Sequence, residues 1–475
     1  MKQDLLPNTP AVSRLREVAN LVSNATPARI ADYLRDHYAP HYAEREPTGR
    51  RIASFMDWKA RGGIEVVDVA QATERRVEIT MRQPLSDEHW MVALEVEGTP
   101  PHRIEALLVG RAALPSIHPP PSDAQAADAF IDYVGRLADA DLFSGAVLIA
   151  RHGEILGQAA FGLANRDFTV PNDLETRFNI ASLCKSWTAV AIAQLIEAGK
   201  LSLDDPLSKF VDYPDRASAS AIRIEHLLSH TSGLGTYFTD SFYRTARHLI
   251  RSVDDYLELS KDELPSFAPG TAWKYSNTGM VVLGKVIEIV TGRSYAEWVE
   301  STLLRTAGMT RSGFLELDYV NENVAVGYAK QWSVDGMRVA NSLFENFVGG
   351  CPAGCAFATV GDVFRFAEAL RNGRLVSPEM LELMTSAKPQ LQSPDYGYGF
   401  SIHPERALYG HSGGLLGVGA NLDIVLDPAG WVVVVLANTL SMRAPTLKAR
   451  QLIGVTVPEA ESGRAYLPTA GMTVR

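Results

Sequence analysis

The spacing of apolar residues divides the chain into two patterned regions. Helical spacing predicts helices over residues 11–22 and 50–59, and a Thr-Pro pair predicts another helix start at Thr26. From Gly63 the period changes to two, which predicts four strands at residues 64–71, 76–83, 88–97 and 102–109. Helices followed by an antiparallel meander make a small α+β domain, which we assign to residues 1–113.

A proline-rich stretch separates this region from the rest of the chain. Residues 114–123 read Pro-Ser-Ile-His-Pro-Pro-Pro-Ser-Asp after Leu114. Such proline density disfavours helix and central strand and gives a stiff, extended connector. We therefore predict a linker at residues 114–123.

The second patterned region has strands near both ends and helices between them. A helix is predicted at residues 124–140, with strands at 144–150, 154–161, 420–426 and 431–436. Helices are predicted in between, and these start near residues 182, 277, 295 and 361; a last helix covers residues 444–453. This order predicts an α+β domain, with one antiparallel sheet flanked by helices, over residues 124–455, followed by a tail at 456–475.

Composition and charge narrow the class of protein. The chain has 475 residues, 46% of them apolar and 21% charged, which is typical of a folded, water-soluble protein of two domains. Its formal net charge of −10 disfavours nucleic acid or an anionic membrane surface as a partner. Neither a signal-peptide pattern nor a membrane-length apolar run is present, so we predict no membrane insertion and a cytoplasmic location.

The cysteines and histidines do not form a metal pattern. Cys184, Cys351 and Cys355 have no completing Cys/His cluster, and we interpret them as buried, small apolar side chains. His226 and His230 lie four apart without the glutamate of the metalloprotease motif. We therefore predict neither a metal nor a cofactor.

The first candidate for chemistry is Ser182 with Lys185. Three residues apart at a helix start, both side chains lie on one face. A serine hydroxyl becomes nucleophilic when a neighbouring amine accepts its proton. The pair also occurs by chance in many chains of this length, and alone it favours the chance interpretation.

A second candidate is Tyr275 with Asn277, in the sequence Lys-Tyr-Ser-Asn. A phenol beside a lysine favours the phenolate and can accept and return a proton. Asn277 offers both a donor and an acceptor. The alternative is a half-buried loop aromatic at 275 and a helix cap at 277.

The third candidate is the glycine-rich stretch around His411, which includes Gly413 and Gly414. Glycines beside a strand let a ligand approach backbone N–H groups, as an oxyanion hole requires. The same letters fit the nucleophile elbow G-x-S-x-G, but no histidine follows His411, so we reject that interpretation. For the aromatic residues at 396–400 we predict a packing role.

The order Ser-x-x-Lys, Tyr-x-Asn, His-x-Gly resembles the serine β-lactamase-like, penicillin-binding-protein-like hydrolases. The nearest branch contains class C β-lactamases, family VIII carboxylesterases and D-aminopeptidases. The phrase His-Thr-Ser-Gly-Leu at residues 230–234 supports the likeness, which covers about residues 124–453. The order of elements in the first domain resembles the cone-shaped NTF2-like fold.

The resemblance implies roles for the candidate residues. Ser182 would be the acylated nucleophile, Lys185 its proton acceptor, and Tyr275 the general base and acid. Asn277 would contact the substrate, and the N–H groups of Ser182 and Gly414 would form the oxyanion hole. His411, with Gly413 beside it in the substrate-binding strand, stands where β-lactamases of this kind have a lysine. A histidine is mostly neutral at pH 7, which disfavours a substrate carboxylate.

We therefore expect a serine hydrolase that acts through an acyl-enzyme on small-molecule esters or amides, foremost a carboxylesterase. A D-amino-acid peptidase or amidase, a transacylase and a weak β-lactamase share this chemistry and stay open. A non-catalytic binding or assembly protein is the alternative of another class. We also expect a homo-oligomer formed through the first domain.

Overall fold

The computed structural model of the protein describes residues 6–112, 120, 122–211, 215–344 and 347–455. Most of the predicted linker at 114–123 and the whole predicted tail at 456–475 lie outside these residues. Within them, no helix is both long and apolar enough to cross a bilayer.

The N-terminal region contains four helices followed by a four-stranded antiparallel sheet of order β1-β2-β3-β4. The side chains of Thr9 and Thr26 accept the first free N–H groups of α1 and α2, each of which begins with proline. The four predicted strands are confirmed. The elements are α1 (Pro10–Ser23), α2 (Pro27–His37), α3 (Pro40–Ala43), α4 (Thr48–Ala60), β1 (Glu65–Ala72), β2 (Arg76–Arg82), β3 (His89–Val96) and β4 (Ile104–Arg111).

The remaining chain forms a sheet and a mainly helical region. Its strands are β5 (Gly145–Arg151), β6 (Glu154–Phe161), β7 (Leu163–Asn165), β8 (Val170–Pro171), β9 (Phe178–Asn179), β10 (Tyr328–Ser333), β11 (Gly336–Asn341), β12 (Phe357–Ala358), β13 (Ser401–His403), β14 (Leu408–Leu415), β15 (Val418–Val425) and β16 (Trp431–Ala437). Its longer helices are α5 (Asp123–Asp139), α6 (Lys185–Glu197), α11 (Asn277–Thr291), α14 (Val360–Arg371), α15 (Pro378–Thr385) and α16 (Arg443–Leu452). Shorter helices are α7 (Arg216–Ala221), α8 (Ile224–Leu228), α9 (Asp240–Arg244), α10 (Val253–Glu258), α12 (Tyr295–Trp298) and α13 (Arg305–Ala307).

The central sheet has six antiparallel strands in the order β13-β14-β15-β16-β5-β6. Strand β16 pairs with β5 from Trp431 opposite Arg151 to Ala437 opposite Gly145, so the sheet joins the two ends of this region. All residues of β15 and β16 are buried, since the sheet is covered on both faces. The predicted sheet built from both ends is thereby confirmed, as is the α+β class.

Helix α6 runs through the middle of the helical region. Of its residues, those from Lys185 to Ala193 are all buried, and its apolar side chains belong to the largest core cluster. A helix that is apolar all round is expected at the centre of a domain. This position fixes its N-terminus, and with it Lys185, against the sheet.

Several elements differ from the predictions. The helix expected to start at Ser182 begins instead with a 3₁₀ turn, Ala181–Cys184, followed by α6. The stretch 295–307 is helical, but it contains the π-helical segment Val299–Leu304. The hairpin β10–β11 and helix α15 were not predicted, because short exposed segments carry little periodic signal.

Polar and apolar contacts connect the N-terminal region with the rest of the molecule. The buried carboxylate of Glu88 lies between the guanidinium groups of Arg61 (2.6 Å) and Arg443 of α16. Trp332 of β10 packs against the separate apolar core of the N-terminal region. These contacts hold the first helices and sheet on α16 and on the β10–β11 hairpin.

Candidate active site

Ser182 and Lys185 lie together at the start of the central helix. The Lys185 Nζ atom is 3.0 Å from the Ser182 Oγ atom, and it also donates to the carbonyl oxygen of Ala353. Ser182 is in the first turn of the 3₁₀ helix, where N–H groups have no acceptor within the helix. Ala181, just before it, has a φ of +44°, an unfavourable value for a side chain with a Cβ atom. Such strain is often found beside reactive groups.

The structure places Tyr275 beside Ser182 and Lys185. The Lys185 Nζ atom is 5.0 Å from the centre of the Tyr275 ring, and the Tyr275 hydroxyl faces Ser182. Burial raises the pKa of Tyr275 above its ordinary value, although the Ser182 hydroxyl partly opposes this. The expectation that the nearby lysine favours a phenolate is therefore wrong. Tyr275 is a neutral phenol in the resting protein.

Asn277 begins α11 and lines the same cavity as Ser182. The cap of this helix is Ser276, whose hydroxyl accepts the N–H of Gly279 at 2.8 Å. The alternative interpretation of Asn277 as a helix cap is thus wrong. The Asn277 side chain instead donates to the Thr236 hydroxyl at 3.1 Å.

Strand β14 passes directly behind the 3₁₀ turn. A Cβ atom at Gly413 would lie 2.3 Å from the Ile180 carbonyl oxygen and 2.8 Å from the Ser182 nitrogen. Only glycine allows so close an approach of two backbones. The glycine at 413 therefore sets the distance between the strand and the serine.

The hydrogen-bonding pattern of β14 directs the Gly414 N–H. The N–H of Leu426 donates to the Ala407 carbonyl, and hydrogen-bonded pairs alternate with non-bonded pairs in an antiparallel ladder. Gly414, opposite Gly419, falls on a non-bonded pair. Its N–H consequently points away from β15, to the edge that β13 leaves open.

His411 lies in this strand with both ring nitrogens in contact with protein atoms. Its Nε2 atom is 3.0 Å from the Tyr396 hydroxyl, and its Nδ1 atom is 2.6 Å from the Ser412 carbonyl oxygen. These partners assign the proton to Nδ1. Burial, assisted by the nearby charge of Lys185, lowers the pKa of His411 to about 3. His411 is therefore uncharged at ordinary pH.

His230 packs against the rings of Tyr275 and Tyr396. Its Nδ1 atom accepts the N–H of Ser276 at 3.2 Å, and its ring is 4.4 Å from that of Tyr275 and 4.5 Å from that of Tyr396. Burial and the charge of Lys185 lower its pKa well below the ordinary value. The aromatic residue Tyr396, predicted to serve packing alone, connects His230 and His411.

A small, partly open cavity lies beside Ser182. Its walls are mostly apolar, and several of the residues are far apart in sequence. It is lined by Ala181, Ser182, Tyr237, Phe238, Asn277, Phe347, Ala353, Gly354, Cys355 and Leu415. Of these residues, Ser182 and Asn277 were predicted from sequence motifs to carry chemistry. The aromatic residues of the wall lie outside those motifs. The position of Tyr237 and Phe238 just after the His-Thr-Ser-Gly-Leu phrase was the one clue in the sequence.

The cysteines do not take part in a disulfide. All three are buried, with the Cys184 sulfur 3.6 Å from the Cys351 carbonyl oxygen. Cys355 contributes to the cavity wall. Across the described residues, no group of three or more His, Cys, Asp or Glu side chains is placed to hold a metal ion.

Comparison with known proteins places this site in a family. A sequence profile of the β-lactamase family matches residues 129–456. Esterase EstB from Burkholderia gladioli is 30% identical over 350 residues, which cover 64% of this chain and 88% of that protein. The crystal structure of a penicillin-binding protein from Bacillus halodurans shares 33% identity and a TM-score of 0.58, covering 64% of this chain and 93% of that one.

A third comparison concerns an assembly. The octameric penicillin-binding protein homologue from Pyrococcus abyssi is 28% identical, with a TM-score of 0.59 over 72% of this chain and 79% of that one. The profile match spans the sheet, the central helix and the three stretches that carry the candidate residues. The chain belongs to the β-lactamase family and is a serine hydrolase.

Proposed function

We propose that the protein is a carboxylesterase whose nucleophile is Ser182. The observation that carries the proposal is the neutral wall of the site. His411 is buried and uncharged, and the cavity beside Ser182 is lined by Tyr237, Phe238 and other apolar groups. Such a wall suits an uncharged acyl group, and His411 supplies no cation for a substrate carboxylate. The likeness to esterase EstB supports the same substrate class.

Acylation starts with the pair at the head of α6. Lys185, once it has released its own proton and is a free amine, accepts the proton of Ser182 across 3.0 Å while the Ser182 Oγ atom bonds to the ester carbonyl carbon. The carbonyl oxygen becomes an oxyanion, which the N–H groups of Ser182 and Gly414 stabilise. Asn277, tied to Thr236, contacts the acyl group from the opposite wall.

Collapse of the intermediate releases the alcohol. The neutral hydroxyl of Tyr275 donates its proton to the departing alkoxide and regains one from Lys185, so that the proton of Ser182 leaves with the alcohol. Water then attacks the acyl-enzyme by the reverse route and releases the acid. An alcohol in place of water would give transacylation by the same steps.

The proposal is tested with p-nitrophenyl esters and a fluorophosphonate label. We expect Ser182→Ala to remove ester hydrolysis and labelling, with a loss of at least about 10³-fold in kcat/KM. Ser186→Ala is the matched control, because Ser186 lies on the same helix and its hydroxyl only donates to the Leu183 carbonyl at 2.8 Å. Hydrolysis that survives in Ser182→Ala at the level of the control would refute the assignment.

We also propose that the protein is a homo-oligomer. The octameric state described for the Pyrococcus homologue supports this. Light scattering at micromolar concentration should give a multiple of the chain mass. The mass of a single chain would contradict the proposal.

A further inference from the structure

Glu263 is a partly buried carboxylate that the proposed chemistry does not use. It lies in the segment between α10 and Tyr275, close to the loop that ends in the aromatic wall. Its Oε1 atom accepts the backbone N–H of Gly235. A Cβ atom at Gly235 would be 2.6 Å from this oxygen, so the carboxylate fits closely against the loop.

The same carboxylate reaches two further groups. The Thr236 N–H and the Thr278 hydroxyl both face it, and with the Gly235 N–H and the charge of Lys274 they oppose the rise that burial causes in the pKa of Glu263. The charged side chain of Lys274 also faces Glu263. The carboxyl thus accepts the Gly235 N–H and faces groups of both the loop and α11.

Two other hydrogen bonds connect these elements. The Thr278 N–H donates to the Gly235 carbonyl at 3.3 Å, and the Asn277 amide donates to the Thr236 hydroxyl at 3.1 Å. The first turn of α11 is therefore fastened to Gly235 and Thr236, with Glu263 bridging the pair. Tyr237 and Phe238, the next two residues, line the cavity beside Ser182.

We infer that Glu263 is a positioning residue that holds the loop at Gly235–Phe238 against α11 and thereby sets the size of acyl group that the site accepts. It contacts neither Ser182 nor the acyl group; it acts through Thr236, Asn277 and the aromatic wall. The inference rests on the proposed esterase function and adds the determinant of its acyl selectivity.

The role predicts a change in selectivity rather than in chemistry. Glu263→Gln keeps the shape of the side chain but replaces one carboxyl oxygen by an amide NH₂ group, which cannot accept a backbone N–H. We expect KM for p-nitrophenyl hexanoate to change about five- to tenfold, while KM for the acetate changes less than twofold. For both esters kcat should stay within about twofold, as should the rate at which a small fluorophosphonate labels Ser182.

Glu258→Gln is the matched control. Glu258 lies in the same part of the chain, but its ion pair with Lys261 is exposed. This control should leave both esters unchanged. Thr278→Val is a second variant, which removes a buried hydroxyl that faces Glu263 at nearly constant volume; it should shift selectivity in the same direction, and its effect should not add to that of Glu263→Gln.

The outcomes separate the two claims. A wild-type protein that takes no label at Ser182 and cleaves neither ester overturns both. If the wild type is labelled and active, equal losses on acetate and hexanoate, or no change on either, overturn the positioning role alone. If Glu263→Gln does not fold, the hexanoate-to-acetate ratio of Thr278→Val decides the matter in the same way.

Discussion

Burial of Tyr275 favours a neutral phenol, whereas a role as a general base would require a phenolate. A phenolate would be the stronger base, yet burial raises the pKa of Tyr275 and keeps the proton on the oxygen. In the proposed reaction Lys185 is accordingly the base towards Ser182, and Tyr275 supplies a proton to the leaving group. Which of the two residues is the base and which is the proton donor follows from burial rather than from residue type. It was therefore not predictable from the sequence.

This division makes Tyr275→Phe a sharp test. Removing the hydroxyl leaves the ring in place and should lower kcat for ester hydrolysis by about 10²–10⁴-fold. Tyr396→Phe is the comparison, since it removes a buried hydroxyl 3.0 Å from His411 but none that faces Ser182. We expect it to cost less than tenfold in kcat, and equal losses in the two variants would contradict the role of Tyr275 as the proton donor.

Three buried histidines make stability depend on pH. Burial lowers the pKa of His226 to about 4, of His411 to about 3, and of His230 well below its usual value. In the unfolded chain each titrates near 6.5, so below that pH the unfolded state binds more protons. Above pH 6.5 their contribution is complete. As the pH falls from about 6.5 towards 4, each removes about 1.4 kcal/mol of unfolding free energy per pH unit.

Urea unfolding at pH 7.5, 6.0 and 5.0 measures this dependence. The unfolding free energy should fall over that series, and His226→Gln should make the fall less steep by the share of one histidine. His226 is the best choice because it lies outside the proposed chemistry. A slope that His226→Gln leaves unchanged would mean that the pKa of this histidine is not lowered by folding.

At the scale of elements, the site is a meeting of one helix start, one loop and one strand. The three sequence motifs identified these elements, because a serine, a tyrosine and a glycine pair have chemical reasons to stand where they do. Sequence patterns could not reveal Tyr396, Phe347 or Glu263, since each acts through contacts with residues distant along the chain. Nor could they reveal the 3₁₀ turn, whose strained Ala181 depends on the packing of β14 behind it.

The fit of β14 against this turn can be tested at Gly413. In Gly413→Ala the new methyl group would overlap the Ile180 carbonyl and approach the Ser182 nitrogen, so the strand must move and the proposed oxyanion hole must widen. We expect kcat to fall by about 10²–10³-fold, as for the loss of one oxyanion donor. Gly361→Ala, where a Cβ atom meets nothing closer than 3.5 Å, is the control. Wild-type kcat in Gly413→Ala would exclude this spacing role.

At the scale of the whole molecule, the N-terminal region has its own apolar core and is joined to the rest by polar contacts and by the packing of Trp332. The N-terminal core and the core around α6 are distinct clusters. Between the N-terminal region and α16, Glu88, only 3% exposed, accepts from Arg61 and Arg443. The sequence predicted the order of elements on both sides. It could not predict this junction, because a buried ion pair between distant segments has no local pattern. The likeness of the N-terminal region to an NTF2-like fold stays a prediction.

The buried contact of Glu88 with two arginines predicts that removing the charge of Glu88 lowers the stability of the protein strongly. Glu88→Gln leaves two guanidinium groups without their shared carboxylate and should lower the unfolding free energy by about 3 kcal/mol. Glu105→Gln, which disrupts a largely exposed pair with Arg75, should cost less than about 1 kcal/mol. Both are measured by urea unfolding at pH 7.5. Equal effects would mean that Glu88 does not hold the two regions together.

The pairing of β16 with β5 has a consequence for how the enzyme is made. Ser182 leaves the ribosome more than 200 residues before Gly414 and β16. Strand β5 therefore cannot pair with β16 until nearly the whole chain has been synthesised. During synthesis the apolar edge of β5 therefore stays open, the kind of surface on which nascent chains aggregate or recruit chaperones. We expect activity only after the last strands of the sheet, β14 to β16, have been added. A chain cut short before residue 408 carries the proposed nucleophile and its lysine but lacks the Gly414 N–H proposed for the oxyanion hole, and should be inert.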